Sequence, residues 1–225
     1  MMTFYAAVGS YRIKVEDNHK VPYIQKLGKL YPISIPEFVI WSTLLWEVMT
    51  YDELKKFYTQ QIEALRTTAP SFDELLEMLV KRKLIVRGIG YTGRDALYNM
   101  LSDAFVIPFR ISGGRKMLSV LRLWYTGKIT LPDVGKIMKR RAGSKAESRI
   151  LRLVEQAPLS TSEIIRCFER GITDVSTAEK VIAGVYSDSA QATIGNEEFM
   201  AESSGQVLEA ISNLYLNREI ILEIV

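Results

Sequence analysis

The chain has 225 residues, 48% hydrophobic and 24% charged, with a formal net charge of +3, the balance of a globular chain with a real core rather than a disordered one. Its longest apolar stretch, near Phe38 to Val48, is broken by Ser42, Thr43 and Glu47 and falls short of the roughly 20 apolar residues a spanning helix needs. One histidine, His19, and one cysteine, Cys167, exclude an intramolecular disulfide and the usual zinc ligand sets, so the expectation is a cytoplasmic protein with no metal and no other cofactor. The first basic residue is Arg12, and the N-terminus does not read as a signal peptide.

Charge is unevenly spread. Residues 1–109 carry 13 Lys/Arg and 12 Asp/Glu; residues 110–152 carry 12 and 2; residues 153–225 carry 4 and 12. A basic middle beside an acidic end sets local fields that the small net charge hides.

In chain order, residues 1–35 read as an N-terminal extension. Within it TFYAAVGSYRIKV has strand-like residues on both sides of Gly9–Ser10, which fits a small hairpin. IPEFVIWSTLLWEV reads as a helix with Pro36 in its first turn. Four segments share a Ser or Thr followed three residues later by Glu: Thr50–Glu53, Ser71–Glu74, Ser160–Glu163 and Ser176–Glu179. Each predicts a helix start by a capping box. The helix from Thr50 puts Leu54, Phe57, Tyr58, Ile62 and Leu65 on one side, and the helix from Ser71 does the same with Phe72, Leu75, Leu76, Leu79 and Val80. LIVR then reads as a strand, glycines as a turn, and RDALYNML as a further helix.

Residues 110–145 read as a basic helical connector containing GGRKMLSVLRLWYTGK and LPDVGKIMKRR. Beyond it come three helices, AESRILRLVEQA, TSEIIRCFER and STAEKVIAGVY, a polar loop SDSAQATIGNEEFMAESSG, and a last helix entering a strand. ELLEMLVKRKLIVR (74–87) aligns without gaps onto AISNLYLNREIILE (210–223). That is either an internal duplication or two helix-to-strand junctions with similar needs.

EVMTYDELKKFYTQQ with SFDELLEMLVKRKLIVRGIGYTGRDAL resembles the winged helix-turn-helix superfamily of transcriptional regulators. The resemblance covers residues 36–103, within a winged-helix-like domain of residues 36–109, and more loosely 146–225 as a second such domain. It implies a mainly α fold with short β wings, the two domains joined by the basic helical segment. The Thr50-to-Ser71 interval is long for a compact helix-turn-helix, and the apparent wing, Gly88 to Gly93, is short.

GIGYTG (88–93) also fits the G-x-G-x-x-G spacing that cradles a pyrophosphate. The following helix is short for a crossover, no ribose-binding acid follows, and the chain lacks alternating strands and helices. The glycines read instead as the turn of a tight wing. His19 lies in a polar turn and Cys167 within a helix beside Phe168, neither with a catalytic pattern around it, and no enzyme is expected.

KIMKRRAGSKAESR (136–149) surrounds one acid, Glu147, with basic side chains. The expectation is a DNA-binding protein, by its resemblance a transcriptional regulator, that holds phosphates through Lys136, Lys139, Arg140, Arg141, Lys145, Arg149 and Arg152, with Arg87 and Arg94 beside the wing. The helix after Ser71 opens with Asp73, Glu74 and Glu77, which argues against conventional base readout by its first turns. The competing reading is a protein–protein or oligomerisation module that uses this acidic helix and the aromatic residues Phe38, Trp41, Trp46, Trp124 and Tyr125, with a homodimer compatible with either.

Overall fold

The computed structural model describes residues 1–16, 18–65, 70–109, 143–186 and 197–225. The described residues are about 51% helical and 25% strand, with eight α-helices and three small antiparallel sheets. The expected mainly α fold with short wings is therefore corrected: each helical layer is built on a sheet. The added strands lie largely in the stretch that reads as an extension.

The first sheet has the order β5-β1-β6, formed by β1 (Met2–Ala7), β5 (Met49–Thr50) and β6 (Ile85–Gly90). The N-terminal strand is thus its centre, not an appendage. β1 is buried on both sides: Tyr5 and Ala7 enter one core cluster, while Ala6 and Val8 enter the other. A strand covered on both faces carries an unbroken apolar run rather than an alternation, which FYAAV (4–8) is.

On the Tyr5 side pack α1 (Ile35–Leu44), α2 (Tyr51–Leu65) and α3 (Phe72–Lys81), through Ile40, Trp41, Leu44, Leu54, Leu75 and Leu79. Between β1 and α1 runs a second sheet, β2 (Ser10–Glu16), β3 (His19–Lys26) and β4 (Lys29–Pro32), in that order. The segments on either side of Gly9 are both strands, but they do not pair as the expected hairpin: β1 pairs with β5 and β6, and β2 with β3.

A second unit repeats the first. β7 (Phe105–Pro108) is the centre of a β8-β7-β9 sheet, followed by α5 (Lys145–Gln156), β8 (Leu159–Ser160), α6 (Thr161–Glu169), a short α7 (Ala178–Val181) running into a π-turn over Ile182–Tyr186, α8 (Glu197–Leu216) and β9 (Ile220–Glu223). The pairings match: Tyr5 opposes Met49 and Arg87 in the first sheet, Val106 opposes Leu159 and Leu222 in the second. Val8 N–H donates to Leu84 O at 3.0 Å, and Phe109 N–H to Glu219 O at 2.7 Å. Ser34 and Thr50 stand the same distance apart in sequence as Ser144 and Ser160, and each pair opens the first and second helices of its unit.

The helix exits settle the internal alignment. Leu84 N–H bonds Leu79 O and Lys83 N–H bonds Val80 O; Glu219 N–H bonds Leu214 O and Arg218 N–H bonds Tyr215 O, all at 2.9 Å. Both are Schellman-type ends with a left-handed residue, Lys83 at φ 55° and Arg218 at φ 62°. Leu84 corresponds to Glu219, so the gapless sequence alignment, which matches it to Ile220, is one residue out. The structure favours duplication over coincidence, since six elements, β1, α1, β5, α2, α3 and β6, recur in order as β7, α5, β8, α6, α8 and β9 with matched strand pairing.

α4 (Gly93–Leu101) joins the units by lying on β6. A Cβ on Gly88 would meet Ala96 O at 2.1 Å, and one on Gly90 would meet Ala96 N at 2.3 Å. These glycines admit a helix against a strand; they do not turn a wing. Thr92 and Asp95 close a reciprocal capping box on α4, so side chains already occupy the helix N-terminus that the phosphate reading needs.

Candidate nucleic-acid interface

Among the expected phosphate contacts, Lys136, Lys139, Arg140 and Arg141 lie outside the described residues, as do Trp124 and Tyr125. The described part of the basic stretch is α5. Ser144 caps it: Glu147 N–H donates to Ser144 Oγ at 3.1 Å, and Ser144 N–H to Glu147 Oε2 at 3.3 Å. Ala146, Ile150, Leu153 and Val154 are buried, which turns Lys145, Ser148, Arg152 and, in the last turn, Glu155 outward, all four exposed. The acid of the stretch does not share that face freely. Glu147 serves the cap and also accepts from Asn213 Nδ2 at 3.3 Å.

Arg149 points elsewhere. Its Nη2 donates to Cys167 O at 2.9 Å and Ile172 O at 3.0 Å, its guanidinium carbon lies 4.2 Å from the Phe168 ring centre, and its Nε is buried without a partner among the described residues. It holds the end of α6 rather than a phosphate. Cys167 beneath it is buried, and burial pushes its thiol up to about 11 despite the nearby Arg149 charge, which makes it an inert core residue.

Arg87 and Arg94 are held by partners away from α5. Arg87 pairs with Glu77 at 3.2 Å. Arg94 reaches from the first turn of α4 to α8, its guanidinium carbon 3.2 Å from where a Gly205 Cβ would stand. Two further cations near the α3 exit are engaged as well: Arg82 with Glu37 at 2.8 Å and with Pro32 O, Lys83 with Val225 O. A cleft of about 540 Å³ between β6, α4 and the last residues is lined by Lys83, Arg87, Asn99, Met100, Asp103 and Ile224. Asn99 there already donates to Ile89 O at 2.8 Å, so three of its four polar side chains are occupied.

The solvent face of α3 is acidic, as its sequence predicts. Tyr51 donates to Asp73, whose other oxygen lies 3.7 Å from Lys55. Of the aromatic residues offered for an interface, Trp41 is fully buried with Phe38 stacked on it at 6.3 Å, and Trp46 lies 5.4 Å from Phe109 with Arg218 over its ring. These residues fill cores and the seam between units.

Arg12 and Lys14 on β2 are exposed cations absent from the sequence expectation. The signal was the apolar–charged alternation of YRIKVE. Among the described residues no three His, Cys, Asp or Glu side chains gather as metal ligands, and no helix is long and apolar enough to cross a membrane. The chain matches no protein-family model, no curated protein and no solved structure.

Proposed function

We propose that this chain is a DNA-binding protein, acting in the cytoplasm as a regulator, that grips the duplex through its phosphates using the basic segment leading into α5. The observation that carries the reading is the sorting of charge on α5: Lys145 and Arg152 face solvent, while Glu147 and Arg149 are drawn into the cap and the core. The first two turns of the outward face are therefore cationic, the one exposed acid of α5, Glu155, coming only in its last turn, and they continue in sequence from Lys136, Lys139, Arg140 and Arg141. Such contacts position a protein on DNA without reading bases. The winged helix-turn-helix resemblance supports the regulatory part of the proposal, and α3, with its acidic solvent face, is not assigned a groove-reading role.

The test is a fluorescence-anisotropy titration of a labelled random duplex with the wild-type protein and with Lys139, Arg140 and Arg141 all changed to Glu. Phosphate contact predicts binding that weakens steeply between about 50 and 200 mM salt and falls ~tenfold or more in the variant at the lower salt. Absence of binding by the folded wild type at the lower salt contradicts it. A second reading, a protein–protein module, is favoured by one specific observation: Asp73, Glu74 and Glu77 line the exposed side of α3, a surface that suits a basic protein partner and repels DNA.

A further inference from the structure

β2 is the outer strand of its sheet; among the described residues it pairs with β3 and with no other strand. Six of its seven residues are exposed, so a run of backbone N–H and C=O groups faces solvent along its free side. Proteins commonly blunt such an edge with proline, a bulge or charged side chains, lysine above all; of these β2 has only the charges. β2 has no proline, and its pairing runs unbroken from Ser10 opposite Gln25 to Glu16 opposite His19.

Its two faces differ in chemistry. Tyr11, Ile13 and Val15 share a face with Pro22 and Ile24. Tyr11 packs edge-on against Phe38 and Trp41, with centroids at 5.8 and 6.4 Å, while Ile13 and Val15 remain 54% and 68% exposed. The opposite face presents Arg12, Lys14 and, at the strand end, Glu16. Lys14 lies over the Tyr23 ring at 5.0 Å, and the Tyr23 hydroxyl donates to Glu16 at 2.7 Å. Among the described residues neither Arg12 nor Lys14 forms an ion pair.

This charge pattern selects the occupant. The register that pairs all seven residues of β2 with a second copy, antiparallel about Ile13, would set Arg12 opposite the other Lys14 at two places, and like charges directly opposite are unfavourable; pairing about Lys14 or Val15, which brings Arg12 or Lys14 opposite the other Glu16, joins only five or three residues. An incoming strand with carboxylates on that face removes the conflict. We propose that β2 is the docking edge for an extended acidic segment of another protein, which joins as a further strand. Its apolar side chains lie beside Ile13 and Val15, and its carboxylates lie opposite Arg12 and Lys14. The proposal is independent of DNA binding, because these residues lie outside the basic segment.

The test is selection from a random linear peptide library displayed on phage, run in parallel against the wild-type protein and R12E/K14E, both first shown to be folded by circular dichroism. The wild type is expected to enrich alternating apolar and acidic residues, and the variant alternating apolar and basic ones. A synthetic peptide of the wild-type consensus should bind the wild type ~tenfold or more tighter than the variant, as paired charge at an interface directs specificity, and Val15→Asp should lose it too. No enriched pattern, a pattern unchanged by the charge reversal, or full binding by the Val15→Asp protein would overturn the proposal. So would a concentration-dependent wild-type dimer that Val15→Asp dissociates, which would give the edge to a second copy.

Discussion

The Tyr215 hydroxyl, on the last helix of the second unit, donates to the carbonyl oxygen of Leu44 at the end of the first helix of the first unit, at 2.9 Å, and lies 3.3 Å from Ala7 O. The matching position in the first unit is Val80, which packs against that unit's own core. One residue of the duplicated helix thus serves its own core in one copy and the seam in the other. Burial drives the Tyr215 phenol far above its ordinary range, so it stays a neutral donor at every working pH. Tyr215→Phe leaves two buried carbonyls without that donor and is expected to cost about 1–3 kcal/mol, read as a lower urea midpoint with an unchanged slope. An unchanged midpoint would mean the seam does not depend on this bond.

Gly88 and Gly90 make a sharp contrast with Gly93. Gly88→Ala would drive a methyl group into the backbone of α4, and overpacking of that kind is expected to cost about 3 kcal/mol or more. Gly93 has nothing nearer than 3.8 Å to a new Cβ and lies in the first turn of α4; Gly93→Ala should stay within about 0.5 kcal/mol of wild type. Thermal unfolding of the two variants tests whether the G-x-G spacing serves packing. Equal tolerance at both sites would contradict it.

Much of the helical order was legible because its signals are local. The helices at 51–65, 72–81, 93–101, 145–156 and 161–169 follow apolar spacing that a neighbour three or four residues away can enforce. Of the four expected capping boxes only Ser160–Glu163 closes in full: Ser71 makes no side-chain cap bond, Thr50 meets Glu53 through its own N–H and hydroxyl, and the last cap passes to Thr177. Ser34–Glu37 and Ser144–Glu147 carry the same spacing and do close. Their regular interval to the next cap was a visible repeat.

What the sequence hid was long-range. β1 is central only because β6, far along the chain, pairs with it, and nothing in MTFYAAV names that partner. SDSAQATIGNEEFMAESSG looks polar enough for a loop, yet α8 begins at Glu197 within it. Arg149 carries the same charge as its neighbours; only its helical phase, set by the burial of Ile150 and Leu153, turns it inward.

That phase separates the structural Arg149 from the cations proposed to hold phosphate. Arg149→Ala removes two hydrogen bonds to the carbonyls of Cys167 and Ile172 and a stacking contact with Phe168, and is expected to lower stability by about 2–3 kcal/mol. Lys145→Ala and Arg152→Ala should change stability by less than about 0.5 kcal/mol while weakening DNA binding. Denaturation and binding measured on the same three proteins check the division, and a stable Arg149→Ala protein would contradict it.

Glu223 supplies a pH dependence. It is buried beside Lys26, accepts from Leu27 N–H at 3.1 Å, and burial pushes its carboxyl above the ordinary 4.5, with the Leu27 amide and Lys26 pulling it partly back. Burial outweighs attraction for the partner too, since it lowers the Lys26 ammonium, with Lys83 adding repulsion. A carboxyl raised by folding holds its proton more tightly when folded, so its stabilising contribution is complete below the unfolded value and is lost as pH rises through the folded one. Glu223→Gln keeps an acceptor for Leu27 and carries no charge. Its stability relative to wild type should therefore increase from about pH 4 to about pH 7. A wild type that gains on the variant over that range would contradict the assignment.

The proposed contact of α5 with phosphate rests on Lys145 and Arg152, and the salt dependence of duplex binding by wild type and by Lys145→Glu/Arg152→Glu is its sharpest test. Each phosphate contact contributes roughly 0.9 to the slope of log K against log salt, so losing these two should flatten the slope by about 2 and weaken binding, with folding intact. A slope and affinity identical to wild type, or no wild-type binding to DNA at low salt, would contradict the account.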